Sequence, residues 1–218
     1  MSPPTLPLFD TDPPSDEVLC DGARWLRAFA RWDADALLTH VAEIAARAPF
    51  RHMVTPGGFT MSAAMTNCGA LGWTSDARGY RYADLDPSTG LRWPALPAVF
   101  LDVAARAAAQ AGYAGFVPDA CLVNRYAPGA KMSLHQDKNE LDLDAPIVSV
   151  SLGLPVVFLF GGDTRRDTPR RIPLSHGDVV VWGGPSRLRY HGVAALKPGH
   201  HPLTGQHRIN LTLRKAGR

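Results

Sequence analysis

Cysteine is scarce in this sequence, with three residues in a chain of 218. Cys20, Cys68 and Cys121 lie far apart, are odd in number and belong to no C-x-x-C motif. This pattern excludes the disulfide framework of a small secreted domain and is typical of reduced thiols. We therefore predict a cytoplasmic protein.

Long apolar runs are also missing. No stretch approaches the roughly 20 apolar residues that a bilayer-spanning helix needs. The N-terminal stretch "MSPPTLPLFDTDPPSDEV" has neither a basic start nor a continuous apolar core, so we do not expect a secretory signal. The sequence therefore predicts neither membrane insertion nor export.

Positive charge is absent from the first 21 residues, which carry five acids and no Lys or Arg. The other 15 acids share the rest of the chain with all 23 Lys and Arg residues, which leaves a net charge of +8 there. A basic surface attracts polyanions, including nucleic acid. Many basic domains bind no polyanion, so this charge alone does not indicate a function.

Composition divides the chain into three parts. Residues 1–20 are rich in proline and acids and are predicted to form a mobile arm. Residues 21–115 are predicted to carry two helices and a long binding segment, and residues 116–218 a series of short strands. Apolar residues make up 45% of the chain, enough for a sizeable core, so we expect residues 21–218 to form one compact domain.

Two helices follow from apolar spacing and end signals. The first is predicted to begin near Asp33 and to stop before Pro49, and the second to cover residues 96–111 with Gly112 as its cap. The predicted buried positions are Leu37, Leu38, Val41 and Ile44 in the first helix and Val99, Phe100, Val103 and Ala107 in the second.

Residues 55–90, between the two helices, are rich in Gly, Thr and Ser, with aromatic residues spread among them. Such a composition buries little core. Long loops inside a compact domain are typically lids or binding loops. We predict that role for this segment.

The sequence of the C-terminal half predicts short strands separated by turns that contain Gly, Pro and Asp. The predicted strands are 119–126, 132–137, 146–152, 155–160, 171–174, 178–182, 187–193 and 207–214. Eight such strands indicate a mainly β protein of the α+β class, built as a sandwich or jelly roll.

The last predicted strand, "HRINLTLR", alternates polar and apolar residues. Its apolar residues face one way, and Arg208, Asn210, Thr212 and Arg214 face the other. Two interpretations remain open at this point. The strand lies at an edge with its polar face in water, or its polar face lines a ligand cavity inside a jelly roll.

The stretch "SLHQDKNE" contains a histidine and an aspartate two positions apart. On a strand, His135 and Asp137 would point the same way, with Cα atoms roughly 6.5–7 Å apart. The pair alone is more typical of an ordinary hydrogen bond. With His191 from "YHGV" as a third ligand, it would form the two-histidine, one-carboxylate triad of non-haem Fe(II) oxygenases, which leaves positions open for substrate and dioxygen. His176, His200 and His201 lie in turns or loops and are weaker candidates.

Other polar residues complement this triad. Arg208 and Arg214 share a strand face, and guanidinium groups bind carboxylates through paired hydrogen bonds. Asn124 and Tyr126, again two apart, add a second polar pair. A triad beside a dicarboxylate clamp predicts 2-oxoglutarate, whose keto-acid end chelates iron.

Several long stretches resemble the bacterial AlkB family of nucleic-acid dealkylases. They are "MVTPGGFTMSAAMTNCGALGW", "NRYAPGAKMSLHQDKNE", "PIVSVSLGLP", "HGDVVVWGG", "RYHGV" and "RINLTLR". The resemblance implies a double-stranded β-helix, or jelly roll, with N-terminal helices and a nucleotide-recognition lid. It assigns His135, Asp137 and His191 to Fe(II). It assigns 2-oxoglutarate to a larger set, namely Asn124, Tyr126, Arg208, Asn210 and Arg214.

The resemblance also implies a substrate and a reaction. The substrate would be alkylated DNA, preferably single-stranded, with RNA as a second polymer, bound by a monomer that touches no membrane. O₂ and 2-oxoglutarate would be consumed, giving succinate and CO₂, and an N-methyl group of N1-methyladenine or N3-methylcytosine would leave as formaldehyde. Trp73 would stack on the flipped base, Tyr80 would contact the backbone, and Arg165 would help to cover the substrate.

Four further residues are predicted to contact the substrate: Thr55, Met65, Lys138 and Asn139. Met65 fits core packing equally well, and Lys138 fits plain solvent exposure. Asn139 stands where we expect an aspartate in this family, and Phe59 where we expect a tyrosine. Asparagine adds an N–H₂ donor and lacks the charge, so we predict a weaker preference for adenine and cytosine over guanine and thymine.

Two other functions compete with this interpretation. One is an Fe(II)/2-oxoglutarate hydroxylase of a small molecule or protein, which would not need an aromatic lid. The other is a non-enzymatic, cupin-like module that binds a metal or ligand. It would leave Arg208 and Arg214 beside the triad without a purpose.

Overall fold

The computed structural model describes residues 16–217 of the chain. These residues form two α-helices, α1 (Ala34–Arg47) and α2 (Ala98–Gln110). The strands are β1 (Glu17–Cys20), β2 (Ala23–Leu26), β3 (Arg51–Val54), β4 (Thr60–Gly69), β5 (Gly72–Asp76), β6 (Gly79–Ala83), β7 (Ala120–Tyr126), β8 (Met132–His135), β9 (Ile147–Gly153), β10 (Val156–Phe160), β11 (Arg170–Leu174), β12 (Val179–Trp182), β13 (His191–Val193) and β14 (Arg208–Arg214). The mainly β fold class is confirmed.

Two antiparallel sheets make up the body of the protein. The larger has eight strands in the order β1-β2-β12-β9-β14-β7-β4-β3, and the smaller has four in the order β11-β10-β13-β8. Aromatic and aliphatic side chains such as Phe158, Trp182 and Tyr126 fill the space between the sheets. Both helices pack on the outer face of the larger sheet. This is the predicted jelly roll with N-terminal helices.

The helices form where the apolar spacing predicts them. Leu37, Val41 and Ile44 are buried on α1. Gly112, two residues past the end of α2, has φ of +97°, a conformation that side chains with a Cβ rarely adopt. Each helix therefore presents one apolar stripe to the sheet.

Residues 55–90 are not the long loop that their composition predicts. They contain β4, whose last seven residues are buried, and the two-stranded hairpin of β5 and β6. β4 pairs with β7 on one side and with the edge strand β3 on the other. Small residues suit this position because helices cover one face of β4 and the cavity wall forms the other.

Most of the predicted arm, residues 1–15, lies outside the described residues. Its last part contains Glu17–Cys20, which form β1 and pair with β2. β2 in turn pairs with β12 from residue 179 onward. The sequence did not predict β1, because such a short strand is stabilised by a distant partner rather than by its own pattern. Across the described residues, neither α1 nor α2 has the length and hydropathy of a bilayer-spanning helix.

All eight strands predicted after residue 115 exist, but two are shorter than expected by more than one residue. The 187–193 strand is reduced to β13, because Gly184–Ser186 form a 3₁₀ turn and Arg189 still bonds back to it. The 132–137 strand ends at His135. Asp137 therefore lies in a segment without regular structure.

The position of β14 decides between the two interpretations of its polar face. β14 lies between β9 and β7, so it is a central strand and all seven of its residues are buried. Ile209, Leu211 and Leu213 pack with the helices. The polar residues face the interior between the sheets, where a cavity opens.

Candidate active site

A cavity of about 610 Å³ lies between the two sheets and opens beside the β5–β6 hairpin. All 15 predicted site residues line it. They are the predicted metal ligands His135, Asp137 and His191, the predicted 2-oxoglutarate residues Asn124, Tyr126, Arg208, Asn210 and Arg214, and the predicted substrate residues Thr55, Met65, Trp73, Tyr80, Lys138, Asn139 and Arg165. The fold thus gathers residues that are up to 159 positions apart, from Thr55 to Arg214.

The His–Asp–His cluster converges on one point. His135 and His191 are direct cross-strand partners on β8 and β13, with ring centroids 4.4 Å apart. The Nε2 atom of His135 is 3.6 Å from Asp137 Oδ1, and that of His191 is 3.5 Å from Asp137 Oδ2. One ligand atom from each residue lies within 4.8 Å of the others. This donor set fits Fe(II).

Strand geometry brings these ligands together in a different way from the predicted one. The shared face of a strand does not align His135 with Asp137, because β8 ends at His135. The pairing of β8 with β13 places His135 beside His191. Contacts with residues elsewhere in the chain, such as Arg214, hold Asp137 next to them. His191 begins its strand rather than ending it.

Hydrogen bonds orient both imidazoles toward the site. His135 Nδ1 bonds to the carbonyl of Ser133 at 2.9 Å, and His191 Nδ1 to that of Arg189 at 3.0 Å. A carbonyl oxygen only accepts, so both Nδ1 atoms carry a proton, and both Nε2 atoms face Asp137. Burial, together with the neighbouring His191, lowers the pKa of His135 to about 4. His135 is thus neutral at pH 7, the state that binds a metal.

Asp137 is held as a carboxylate. Burial alone would raise its pKa, but Arg214 and the two histidines hold the pKa of Asp137 well below its usual range. Arg214 Nη2 donates to Asp137 Oδ2 at 2.6 Å. The site therefore offers one carboxylate and two imidazole rings as ligands.

Arg208 provides a test for the second predicted cofactor. Its side chain is 1% exposed, and its Nη2 atom donates to Ser151 at 2.7 Å. Within residues 16–217, its Nε and Nη1 atoms have no hydrogen-bond partner. Burial lowers the pKa of Arg208, so its charge is disfavoured until an anion joins it. Two free donors on a buried cation fit one carboxylate of 2-oxoglutarate.

The residues around Arg208 form a polar wall. Asn210 donates to Ser149 at 2.9 Å and accepts from Thr212 at 3.1 Å. Ser149 and Ser151 were missed at the sequence level. Their signal is the alternation in "IVSVSLG" on β9, which turns two small hydroxyls toward the cavity.

Two aromatic rings stand at the mouth of the cavity. Trp73 on β5 and Tyr80 on β6 stack with centroids 5.5 Å apart and planes 16° apart. The buried Asn67 side chain accepts from the Trp73 N–H and donates to its carbonyl, both at 3.0 Å. Asn67 therefore fixes the backbone that carries the Trp73 ring.

Polar residues surround the same opening. Lys138, Asn139 and Arg165 are exposed at the cavity wall. The Arg165 guanidinium lies 5.5 Å from the Tyr190 ring. Met65, in contrast, is 1% exposed and packs between the sheets, so it is a core residue that also borders the cavity.

Trp182 has a closer relation to the site than its sequence suggests. Its place between Val181 and Gly183 is typical of a residue that only packs, and it is indeed 1% exposed. However, its ring lies 4.9 Å from that of His191 and forms part of the cavity wall. Trp182 therefore packs against a predicted metal ligand.

Comparison with known proteins agrees with this geometry. Residues 22–214 match the model of the 2OG-Fe(II) oxygenase superfamily. The chain is 62% identical to the alpha-ketoglutarate-dependent dioxygenase AlkB of Salmonella typhimurium, over 97% of this chain and 98% of that protein. It is 59% identical to the Escherichia coli protein of the same name, over 98% and 99%. The solved structure of OsALKBH1 has a TM-score of 0.80 at 29% identity and covers 92% of this chain and 100% of its own. The chain therefore belongs to the 2OG-Fe(II) oxygenase superfamily and, within it, to the AlkB family of alpha-ketoglutarate-dependent dioxygenases.

Proposed function

We propose that this protein removes N-alkyl groups from nucleic-acid bases by oxidative demethylation, with N1-methyladenine and N3-methylcytosine in DNA as its main substrates and RNA as a further polymer. One observation carries the proposal. A single cavity is lined by the metal triad, by a buried arginine with free donors and by stacked aromatic rings at its mouth.

As a 2OG-Fe(II) oxygenase, the protein uses Fe(II), 2-oxoglutarate and O₂. With Fe(II) held by the triad, 2-oxoglutarate and O₂ would supply the oxidant that hydroxylates the N-methyl carbon, with release of succinate, CO₂ and finally formaldehyde. His135, Asp137 and His191 would hold the metal. Arg208 would bind one carboxylate of 2-oxoglutarate, and Asn124, Tyr126, Asn210 and Arg214 would orient the rest.

Trp73 would receive the damaged base after it leaves the helix stack, and Tyr80 beside it would contact the nucleic-acid backbone. Bases alkylated on the Watson–Crick edge pair poorly, which lowers the cost of flipping them. N1-methyladenine and N3-methylcytosine are also cationic. A cation over the Trp73 ring gains about 0.5–2 kcal/mol. The aromatic mouth thus favours damaged over normal bases.

The residues around the opening would bind the strand. Lys138 and Arg165 are exposed cations beside the cavity, suited to phosphate groups. Thr55 and Asn139 would add hydrogen bonds. We further propose that the protein acts as a monomer, prefers single strands, which need no base pair opened, and works in the cytoplasm. Its three cysteines, all free thiols, support that location.

The proposal is tested with a single-stranded oligonucleotide that carries one N1-methyladenine. Protein, Fe(II), 2-oxoglutarate and air should remove the mass of one methylene group and release formaldehyde and succinate in equal amounts. Asp137→Ala should abolish all three changes, and an unmethylated oligonucleotide serves as the control. Succinate formation that the methylated strand does not stimulate would instead favour a hydroxylase of another substrate.

A further inference from the structure

A buried ion pair lies next to the metal triad without belonging to the cavity wall. Arg187 Nη2 and Glu140 Oε2 are 3.2 Å apart, and the two side chains are 3% and 1% exposed. Burying two charges costs desolvation free energy that their attraction often fails to recover. The pair therefore requires an explanation other than stability.

Arg187 contacts both ends of one irregular segment. Its Nη1 atom donates to the backbone carbonyl of Asp137 at 2.7 Å, and its Nε atom to that of Ala145 at 3.0 Å. Residues 136–146 form neither helix nor strand, so no backbone ladder holds them. One buried guanidinium thus fixes the path of the segment that carries Asp137.

Glu140 acts on the side chain of the same aspartate. Its Oε1 atom accepts from the Tyr82 hydroxyl at 2.7 Å and lies 3.5 Å from Arg214 Nε. Arg214 in turn donates to the Asp137 carboxylate at 2.6 Å. Glu140 therefore orients the arginine that holds the carboxylate of Asp137.

These contacts form a closed ring. Arg187 holds the backbone of Asp137, Arg214 holds its carboxylate, and Glu140 joins the two arginines. Tyr82 connects the ring to the hairpin, where it lies directly opposite Trp73. A carboxylate attached to an irregular segment needs such fixation, because small displacements would move it out of reach of both Nε2 atoms.

We propose that Arg187 and Glu140 are positioning residues of the metal centre. They hold Asp137 between His135 and His191 and touch neither metal nor substrate. This inference deepens the proposed function and rests on it for the role of the metal. Its test measures metal binding alone, so the positioning role and the proposed function can fail separately.

The test compares Mn(II) binding by Arg187→Lys and by the wild type. Lysine keeps the charge but cannot reach three acceptors at once. Loss of an outer contact to a metal ligand typically lowers metal affinity about 10- to 100-fold, and we expect a loss in that range. Quenching of tryptophan fluorescence reports binding, because the Trp182 ring is 4.9 Å from that of His191. Neither nucleic acid nor O₂ is present.

Arg51→Lys is the matched control. Arg51 pairs with the buried carboxylate of Asp86 at 2.7 Å and lies outside the cavity wall. If both ion pairs are merely structural, both variants should lower the melting temperature of the metal-free protein and keep the wild-type Mn(II) affinity. That result for Arg187→Lys would overturn the proposal.

Glu140→Gln is the second variant and decides the question if Arg187→Lys fails to fold by circular dichroism. Glutamine keeps the shape and an acceptor for Tyr82 but removes the charge that orients Arg214. We expect weaker Mn(II) binding here too, and an unchanged affinity would contradict us. A wild type that binds Mn(II) normally but demethylates nothing would count against the proposed function alone.

Discussion

At the residue scale, the chemistry depends on which buried charges have partners. Asp137 has Arg214 within 2.6 Å, whereas two donors of Arg208 have no partner in the described part of the chain. An unpaired buried donor is costly unless a ligand completes it. Arg208 is therefore prepared for a carboxylate.

Replacing Arg208 by lysine should weaken binding of 2-oxoglutarate. Lysine keeps the charge but loses the planar pair of donors. One hydrogen bond to a charged group contributes about 1.5–3 kcal/mol, so the KM for 2-oxoglutarate should rise about 10- to 100-fold. Succinate formation at varied 2-oxoglutarate concentration measures it. Arg125→Lys, on the same sheet but stacked on Phe50 4.5 Å away, is the control and should keep the wild-type KM. An equal KM for both variants would contradict this role.

Asn139→Asp should shift base selectivity. Asn139 is exposed at the cavity wall, where its amide can both donate and accept. Aspartate only accepts, so turnover of N1-methyladenine and N3-methylcytosine should rise against that of N1-methylguanine and N3-methylthymine, by about 10-fold for one hydrogen bond. Four oligonucleotides that differ only in the methylated base measure the ratio.

Lys138→Gln is the control for that experiment. A phosphate contact carries no information about the base, so this variant should lower turnover of all four oligonucleotides together. If Asn139→Asp leaves the four turnover ratios unchanged, Asn139 does not read the base.

At the element scale, the β5–β6 hairpin is separate from the strands that carry the proposed cofactor residues. The hairpin forms a sheet of its own, outside the two sheets of the jelly roll. It carries Trp73 and Tyr80 at the mouth, while Asn67 ties it to β4. Within the described part of the chain, these two rings, unlike Tyr82, make no hydrogen bond to the residues that hold Asp137, so they can be replaced without disturbing the triad.

Trp73→Ala should reduce demethylation and leave cofactor binding intact. Stacking contributes about 1–3 kcal/mol per base, so kcat/KM for the methylated oligonucleotide should fall about 5- to 100-fold. The KM for 2-oxoglutarate should not change. Trp32→Ala is the control, because that ring is 92% exposed and outside the cavity wall. Equal kcat/KM for Trp73→Ala and wild type would show that Trp73 does not stack on the base.

Elements differ in how well their sequences predict them. α1 and α2 were predictable because a periodicity of 3.6 residues repeats over three turns of each helix. β4 was not, because both of its faces are buried and its Gly, Ser and Thr residues resemble a loop. β1 and β2 have four residues each, too few for a pattern. Their structure depends on β12, more than 150 residues away along the chain.

At the scale of the whole molecule, stability should fall in acid partly through His176. This residue accepts the Gly153 N–H at Nδ1, at 3.0 Å, and stacks on His201. Burial and then the neighbouring His201 lower the pKa of His176 below its ordinary 6.5. The neutral form is thus favoured in the folded state. The contribution of neutral His176 to the free energy of unfolding is present above pH 6.5 and is lost as the pH falls through the lowered pKa of His176.

His176→Gln should therefore reduce the acid sensitivity of folding. The melting temperature of the wild type should drop between pH 7.5 and pH 5, and the variant should drop less. His200→Gln, at an exposed position in the same loop as His201, should behave as the wild type does. An identical drop in His176→Gln would show that other groups cause the acid sensitivity.

The sequence alone predicted the fold class, several site residues and the family of this protein. Residue chemistry with strand alternation pointed to His135, Asp137 and Arg208, and several long motifs indicated the family. The tertiary structure alone decided three matters: that β14 is central rather than at an edge, that β4 is a buried strand of the larger sheet between β7 and β3, and that Arg187 and Glu140 hold Asp137. The physical reason is the same for all three. Each depends on contacts between residues far apart in the chain, and local periodicity reports only the face that a residue shares with its neighbours.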